Sequence, residues 1–222
     1  MRASAAAAIT DQTAAVVIEA VQGESGVYPA TAEFLQGLRK LCDERGALLI
    51  MDEIQTGLGR TGKWFGFQHG DILPDIVAMG KGIAGGVPMG VVAWRESLGQ
   101  IEQGTHSSTF GGNPLGCAVA RTAIQVLTDE KLVERSAELG AWFQSQVAAI
   151  RHPDIKSVRG RGLLVGIELH VPARSYCEAL MQLGMLCKET HDRVIRLAPP
   201  LVTSREDLEW ALVQLRTVFA SK

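Results

Sequence analysis

Aromatic residues make up only 5% of the 222-residue sequence. No apolar run approaches the roughly 18 to 20 residues that a membrane-spanning helix needs, so no membrane partner is expected. Neither sign of charge dominates, with 22 Lys and Arg against 24 Asp and Glu and a formal net charge of -2. A protein that grips nucleic acid through its phosphates would gather a basic surplus on one face, and this sequence has none. The Ala-rich opening from Ala5 to Ile9 is too short for a signal core and meets Asp11 at once. Cys42, Cys117, Cys177 and Cys187 form no CxxC pair and no zinc spacing; each sits among apolar neighbours, as reduced core thiols do. His69, His106, His152, His170 and His191 make no HxxxH or HExxH pattern, so no metal site is expected. These absences leave a globular enzyme of cytoplasmic type.

What is present is a 46% hydrophobic, 21% charged chain with 24 glycines. AAVVIEA (14–20) and ALLIM (47–51) read as buried strands, the second ending on Asp52. Between them Thr31 caps a helix with Phe34, Leu35, Leu38, Leu41 and Cys42 on one stripe, and Gly46 stops it. DIVAM (75–79) and GVVAW (90–94) are further short strands. This alternation argues for an α/β fold with a mostly parallel sheet and flanking helices. A helix starts at Asn113, and another runs from Lys131 to Ile150. The texture then changes: SVRGRGLLVGIEL reads as one long strand, followed by a helix near 173–182, short strands at MLCK and VIRL, and a last helix capped by Ser204 and Asp207. The expected organisation is a partial large α/β domain over 1–127 and a small C-terminal α+β domain over 128–222.

Two familiar patterns fail in context. Gly57-Leu-Gly59-Arg-Thr-Gly62 matches GxGxxG but neither follows a strand directly nor opens an amphipathic helix. Gly80-Lys81 lacks the earlier glycine and the Ser/Thr of a phosphate loop. A third arrangement carries more chemistry. Asp52 and Gln55 lie just past a buried strand, where open α/β sheets place ligands. Lys81 follows another strand in an apolar, Gly-rich setting, where a desolvated amine can act as a nucleophile or form a Schiff base. His106-Ser-Ser108-Thr109 before GGNP supplies hydroxyls and free N–H groups suited to a phosphate. Acid, lysine and phosphate cup together are the needs of pyridoxal 5'-phosphate. On spacing alone, a plain Asp52–Lys81 ion pair beside a turn is an equal alternative.

The blocks VIEAVQGESGVYP, LLIMDEIQTGLGRTGK, PDIVAMGKGIAGGVPMG and HSSTFGGNPLGCAVA, with VRGRGLLVGIEL and VIRLAPPLV, resemble the fold-type I, class III aminotransferases in order and spacing. ARSYCEAL and GMLCKETHDRVIRLAPPLV are most similar to the ornithine δ-aminotransferase branch; acetylornithine and related lysine-biosynthesis aminotransferases share the earlier blocks. The resemblance implies transfer of an amino group between amino-acid and 2-oxo-acid substrates through pyridoxal phosphate. It makes Lys81 the Schiff-base lysine and proton carrier, Asp52 the partner of the pyridine nitrogen, and Gln55 that of the phenolic oxygen. It places Ser108 and Thr109 on the cofactor phosphate of the neighbouring subunit, which implies a homodimer with a shared active site. Arg196 would hold an α-carboxylate through a bidentate fork, and Glu24 would mask Arg196 when ornithine offers its far amino group. Ala20 stands where the family usually has Pro. Members also carry an N-terminal half with further cofactor contacts, so the expectation is the C-terminal part of the fold, with a non-catalytic remnant as the alternative to an enzyme.

Overall fold

The computed structural model describes residues 2–221. In chain order the first elements are α1 (Arg2–Ala8), β1 (Ala15–Glu19), β2 (Val21–Gln22), β3 (Tyr28–Pro29), α2 (Ala32–Arg45), β4 (Leu48–Asp52), β5 (Ile76–Met79) and β6 (Val91–Trp94). There follow α3 (Pro114–Asp129), α4 (Leu132–Ala148), β7 (Ile155–Arg161), β8 (Leu164–Leu169), α5 (Arg174–Gln182), β9 (Lys188–Thr190), β10 (Val194–Leu197) and α6 (Arg205–Ala220). Short 3-10 turns occupy Gly66–Gly70, Lys81–Ala84 and Glu96–Leu98. The chain forms two compact units. The first takes residues up to Ala20, Ala30–Leu58 and Phe65–Glu130; the second takes Val21–Pro29, Gly59–Trp64 and the chain from Lys131 onward.

In the first unit the sheet order is β1-β4-β5-β6. Helix α2 begins where the Thr31 hydroxyl accepts the Phe34 N–H at 3.2 Å, and it ends at Gly46, whose φ of 67° only glycine adopts freely. Its buried residues Leu35, Leu38 and Cys42 recur at helical spacing and pack with Leu49 and Met51 of β4 in one apolar cluster. Strands β1, β4 and β5 are parallel, but β6 runs antiparallel to β5. The expected parallel pairing holds for β1, β4 and β5, and the antiparallel β6 makes the sheet a mixed one. A parallel return needs a crossover of about a dozen or more residues, usually helical. The link from β5 to β6 carries only the Lys81–Ala84 turn, so the chain folds straight back.

The second unit holds an all-antiparallel sheet of order β7-β8-β10-β9. SVRGRGLLVGIEL is not one strand but two, because Gly162 turns the chain with φ 53° and pairs Arg161 with Leu164. Strand β8 is buried on both faces: Val165, Ile167 and Leu169 join the main core with Phe143, Leu180 and Leu215, while Leu164 packs with Val21 and Val27. Gly166 is required there, since a Cβ would sit 2.8 Å from the Val27 side chain. The other short strand occupies Lys188–Thr190 rather than MLCK. Helix α6 has the capping box read from Ser204 and Asp207, with bonds of 3.0 and 2.9 Å.

Helix α4 lies against the β7–β8 turn so closely that a Cβ on Gly140 would meet the Gly162 carbonyl carbon at 2.2 Å. A helical Gly→Ala change on an open face gains about 1 kcal/mol. Here the backbone contact reverses the sign, and we expect Gly140→Ala to cost about 1–3 kcal/mol by overpacking; chemical denaturation measures it, and a stabilised variant would contradict the packing. Glu168 of β8 gives a pH signature. Its bond from Lys156 at 2.7 Å, with a second from Arg159, holds the carboxyl at about 2 instead of 4.5. That contribution to stability is present above the ordinary value of 4.5 and is lost as the pH falls through about 2. Glu168→Gln should flatten the melting temperature across that window.

Candidate functional site

Parallel β4 and β5 end at the same edge of the first unit's sheet, with Asp52 opposite Ala78. Asp52 closes β4, and its Oδ1 accepts the Ile54 N–H at 3.0 Å, which fixes the carboxylate at the strand end. Met79 and Gly80 then lead into Lys81, the first residue of the 3-10 turn, held at φ 47° in the left-handed region. That conformation is costly for a residue with a Cβ and is kept only where the surroundings impose it. Ile83 and Ala84, both buried, are what hold the turn down, and α3 packs beside it. The sequence expected an apolar setting for Lys81. In the structure of this chain its side chain is exposed, while Ile83 and Ala84 after it are buried. No hydrogen bond or ion pair joins Lys81 to Asp52 among the described residues, so the plain ion pair does not form.

Gln55 is half-buried, and its Oε1 is buried without a hydrogen-bond partner. A buried acceptor left unpaired is costly, and such atoms mark places where a bound group completes the bonding. Ser108 and Thr109 are exposed in the loop before α3, where the Ser108 carbonyl accepts the Gly111 N–H at 3.1 Å and Asn113 caps the helix. No hydrogen bond links either hydroxyl to Asp52, Gln55 or Lys81 among the described residues.

Glu24 and Arg196 both belong to the second unit. Arg196 sits on β10, an interior strand, with its side chain 14% exposed. A cation so covered needs an anion, and Glu24 on the β2–β3 loop supplies it through Oε1. The bond from Arg196, joined by Lys188, holds the Glu24 carboxyl at about 2, so the pair stays charged at any neutral pH. The Thr190 hydroxyl donates to the Glu24 carbonyl, and Lys188 Nζ reaches Glu24 Oε2 at 3.3 Å.

Three contributors are absent from the sequence reading. Lys188 and Thr190 lie in the KETH segment, and their alternate spacing on a strand was the signal that both face Glu24. Glu53, next to Asp52, is the third. It is 2% exposed, and burial pushes its carboxyl up despite bonds from the Thr56 hydroxyl and the N–H groups of Gly66 and Phe67. The Gly66 and Phe67 bonds, at 2.9 and 2.8 Å, tie the end of β4 to the 66–70 turn, while the Thr56 hydroxyl holds the carboxylate locally.

The sequence pattern of the class-III aminotransferases matches residues 2–219. The chain belongs to that family. It is 53% identical to the ornithine aminotransferase of Macrococcus caseolyticus over 215 residues, 96% of this chain and 54% of that protein. The acetylornithine aminotransferase structure from Elizabethkingia anophelis superposes with a TM-score of 0.93 at 38% identity, covering 100% of this chain and 58% of that one. An ornithine aminotransferase structure from Toxoplasma gondii, described with partial occupancy of pyridoxal phosphate at its active site, gives 0.93 at 37% identity over 100% of this chain and 54% of that one. The expected remnant of the architecture is thereby corrected: the family match runs through the chain and takes in both the mixed large sheet and the small C-terminal sheet. The chain spans about half the length of the curated relatives it matches.

Within this family member Glu53 gives a direct test. A glutamine side chain has one acceptor oxygen for two inward N–H groups, so Glu53→Gln turns an amide donor toward a donor. We expect a loss of about 1–3 kcal/mol of stability, read as a lower melting temperature; an unchanged one would mean that the carboxylate does not anchor the turn.

Proposed function

We propose that the protein is an ornithine δ-aminotransferase, passing the δ-amino group of ornithine to 2-oxoglutarate and yielding glutamate semialdehyde and glutamate, with pyridoxal 5'-phosphate as cofactor. The observation that carries this reading is the Glu24 carboxylate seated on Arg196. Ornithine has two amines, and a free Arg196 would draw in the α-carboxylate and present the wrong one. With Glu24 in place that end is refused, and the far amine is offered. For glutamate or 2-oxoglutarate, Glu24 moves aside and the guanidinium takes the α-carboxylate through two parallel bonds.

The residues of the first unit fit the cofactor's chemistry. Gln55 has an unpaired buried acceptor, Lys81 has an exposed side chain, and one Asp52 oxygen accepts the Ile54 N–H. When bound, pyridoxal phosphate supplies an aldehyde for the amine and an electron sink for the charge left on the reacting carbon. Asp52 keeps the ring nitrogen protonated, and Gln55 binds the ring hydroxyl. Lys81 Nζ would be the base that takes the proton from the substrate carbon, carrying it as an ammonium until it is given back in the second half of the proton transfer. Ser108 and Thr109 hold the phosphate belonging to a second copy, so the working form is a homodimer. No helix among the described residues is long and apolar enough to cross a membrane.

Borohydride reduction of the protein with pyridoxal phosphate, followed by peptide mapping, should place the label on Lys81; a label on another lysine would refute the assignment. Lys81→Ala should lower kcat by about 10³-fold or more. Ornithine should exceed N-acetylornithine in kcat/KM by about tenfold or more. The reverse preference would move the protein to the acetylornithine branch, one structure of which superposes with a TM-score of 0.93.

A further inference from the structure

On the antiparallel β9–β10 pair, Lys188 stands directly opposite Arg196. Like charges facing each other across strands are destabilising, and here a single carboxylate lies between them. Glu24 gives Oε1 to Arg196 and Oε2 to Lys188, the latter at 3.3 Å, while Thr190 on the same strand binds the Glu24 carbonyl. The two cations differ in setting: the Arg196 side chain is 14% exposed and that of Lys188 is 62% exposed. Arg196 is therefore the member a buried substrate carboxylate can claim, and Lys188 is the member that keeps a solvated hold on Glu24.

We infer that Lys188 is a positioning residue for the dual use of Arg196, serving as the partner that retains Glu24 when a 2-oxo-acid carboxylate displaces it. The inference rests on the proposed function, in which Glu24 must leave Arg196 once in every catalytic cycle. With Arg196 engaged, Glu24 shares the two cations and Lys188 contributes only part of its pairing. With Arg196 given over to substrate, Lys188 is the cation among the described residues that still pairs with that carboxylate. Its interaction is thus stronger in the open arrangement than in the closed one, and its loss raises the cost of opening. The consequence falls on 2-oxoglutarate binding rather than on the chemical step.

The test uses Lys188→Met, Lys188→Arg, Glu24→Gln and the double variant Lys188→Met/Glu24→Gln, with KM and kcat measured for 2-oxoglutarate at saturating ornithine and for ornithine at saturating 2-oxoglutarate. Lys188→Met should raise the KM for 2-oxoglutarate about two- to fivefold, the scale of an exposed ion pair, and leave kcat little changed. Lys188→Arg should restore the wild-type KM. Once Glu24→Gln has removed the carboxylate, adding Lys188→Met should raise that KM no further. An unchanged KM in Lys188→Met overturns the inference. So does an equal rise in the Glu24→Gln background, which would mean that Lys188 attracts the substrate directly. If Glu24→Gln itself leaves both substrates' parameters unchanged, the Glu24–Arg196 latch is wrong and the role of Lys188 falls with it. An altered Glu24→Gln beside an unaltered Lys188→Met overturns the role of Lys188 alone.

Discussion

Asp75 is the buried charge on which the first unit depends. It is 8% exposed at the foot of β5, and its carboxylate takes the Leu49 N–H at 2.7 Å and the Arg39 guanidinium at 2.6 Å. Its own N–H returns to the Leu49 carbonyl at 2.9 Å, and its carbonyl receives the Arg95 N–H at 3.0 Å. One residue thus joins α2, β4, β5 and the end of β6. Because side chains alternate along a strand, a slip of one residue between β4 and β5 would turn every side chain to the other face. The Asp75 clamp prevents that slip, and the register it sets ends with Asp52 opposite Ala78. The shared edge of Asp52 and Lys81 is a result of this clamp at the other end of the same strands.

In the second unit the governing constraint is a covered guanidinium that needs an anion at every moment. An ionised group taken out of water and left alone is far costlier than one handed from partner to partner. Glu24 serves as the anion in the closed arrangement, and in the proposed function the substrate takes its place. The exchange keeps the number of ion pairs constant, which is why a strong pair at the site need not be a slow one to open.

Much of this was legible in the residues, and what was missed has physical reasons. Helix α2 could be read because its cap, its stripe and its terminal glycine are local signals that tertiary contacts did not override. The capping box of α6 is equally local. The direction of β6 was not legible, since an apolar run looks the same pointing either way and only the lack of a crossover helix decides. The turn at Gly162 was hidden in a run that alternates like a strand on both sides of it. The exposure of Lys81 was not legible, since apolar neighbours in sequence need not be neighbours in space: Ile83 and Ala84 are buried while the lysine side chain is exposed. Glu53 was not legible, since its partners at Gly66 and Phe67 are backbone groups that carry no residue signature.

The passage of the chain between its units bears on how such a protein can be recombined. The second unit is assembled from three separate stretches, and the two short ones are not ornaments. Val21 and Val27 bury against Leu164, Arg159 donates to the carbonyls of Gly26 and Val27, and the Arg60 guanidinium binds the carbonyls of Leu163 and Pro199. A single crossover near residue 130 would hand a new host only the longest stretch, with a gap beside β8 and several carbonyls and guanidinium groups bereft of partners. Grafting the unit therefore requires three coordinated exchanges.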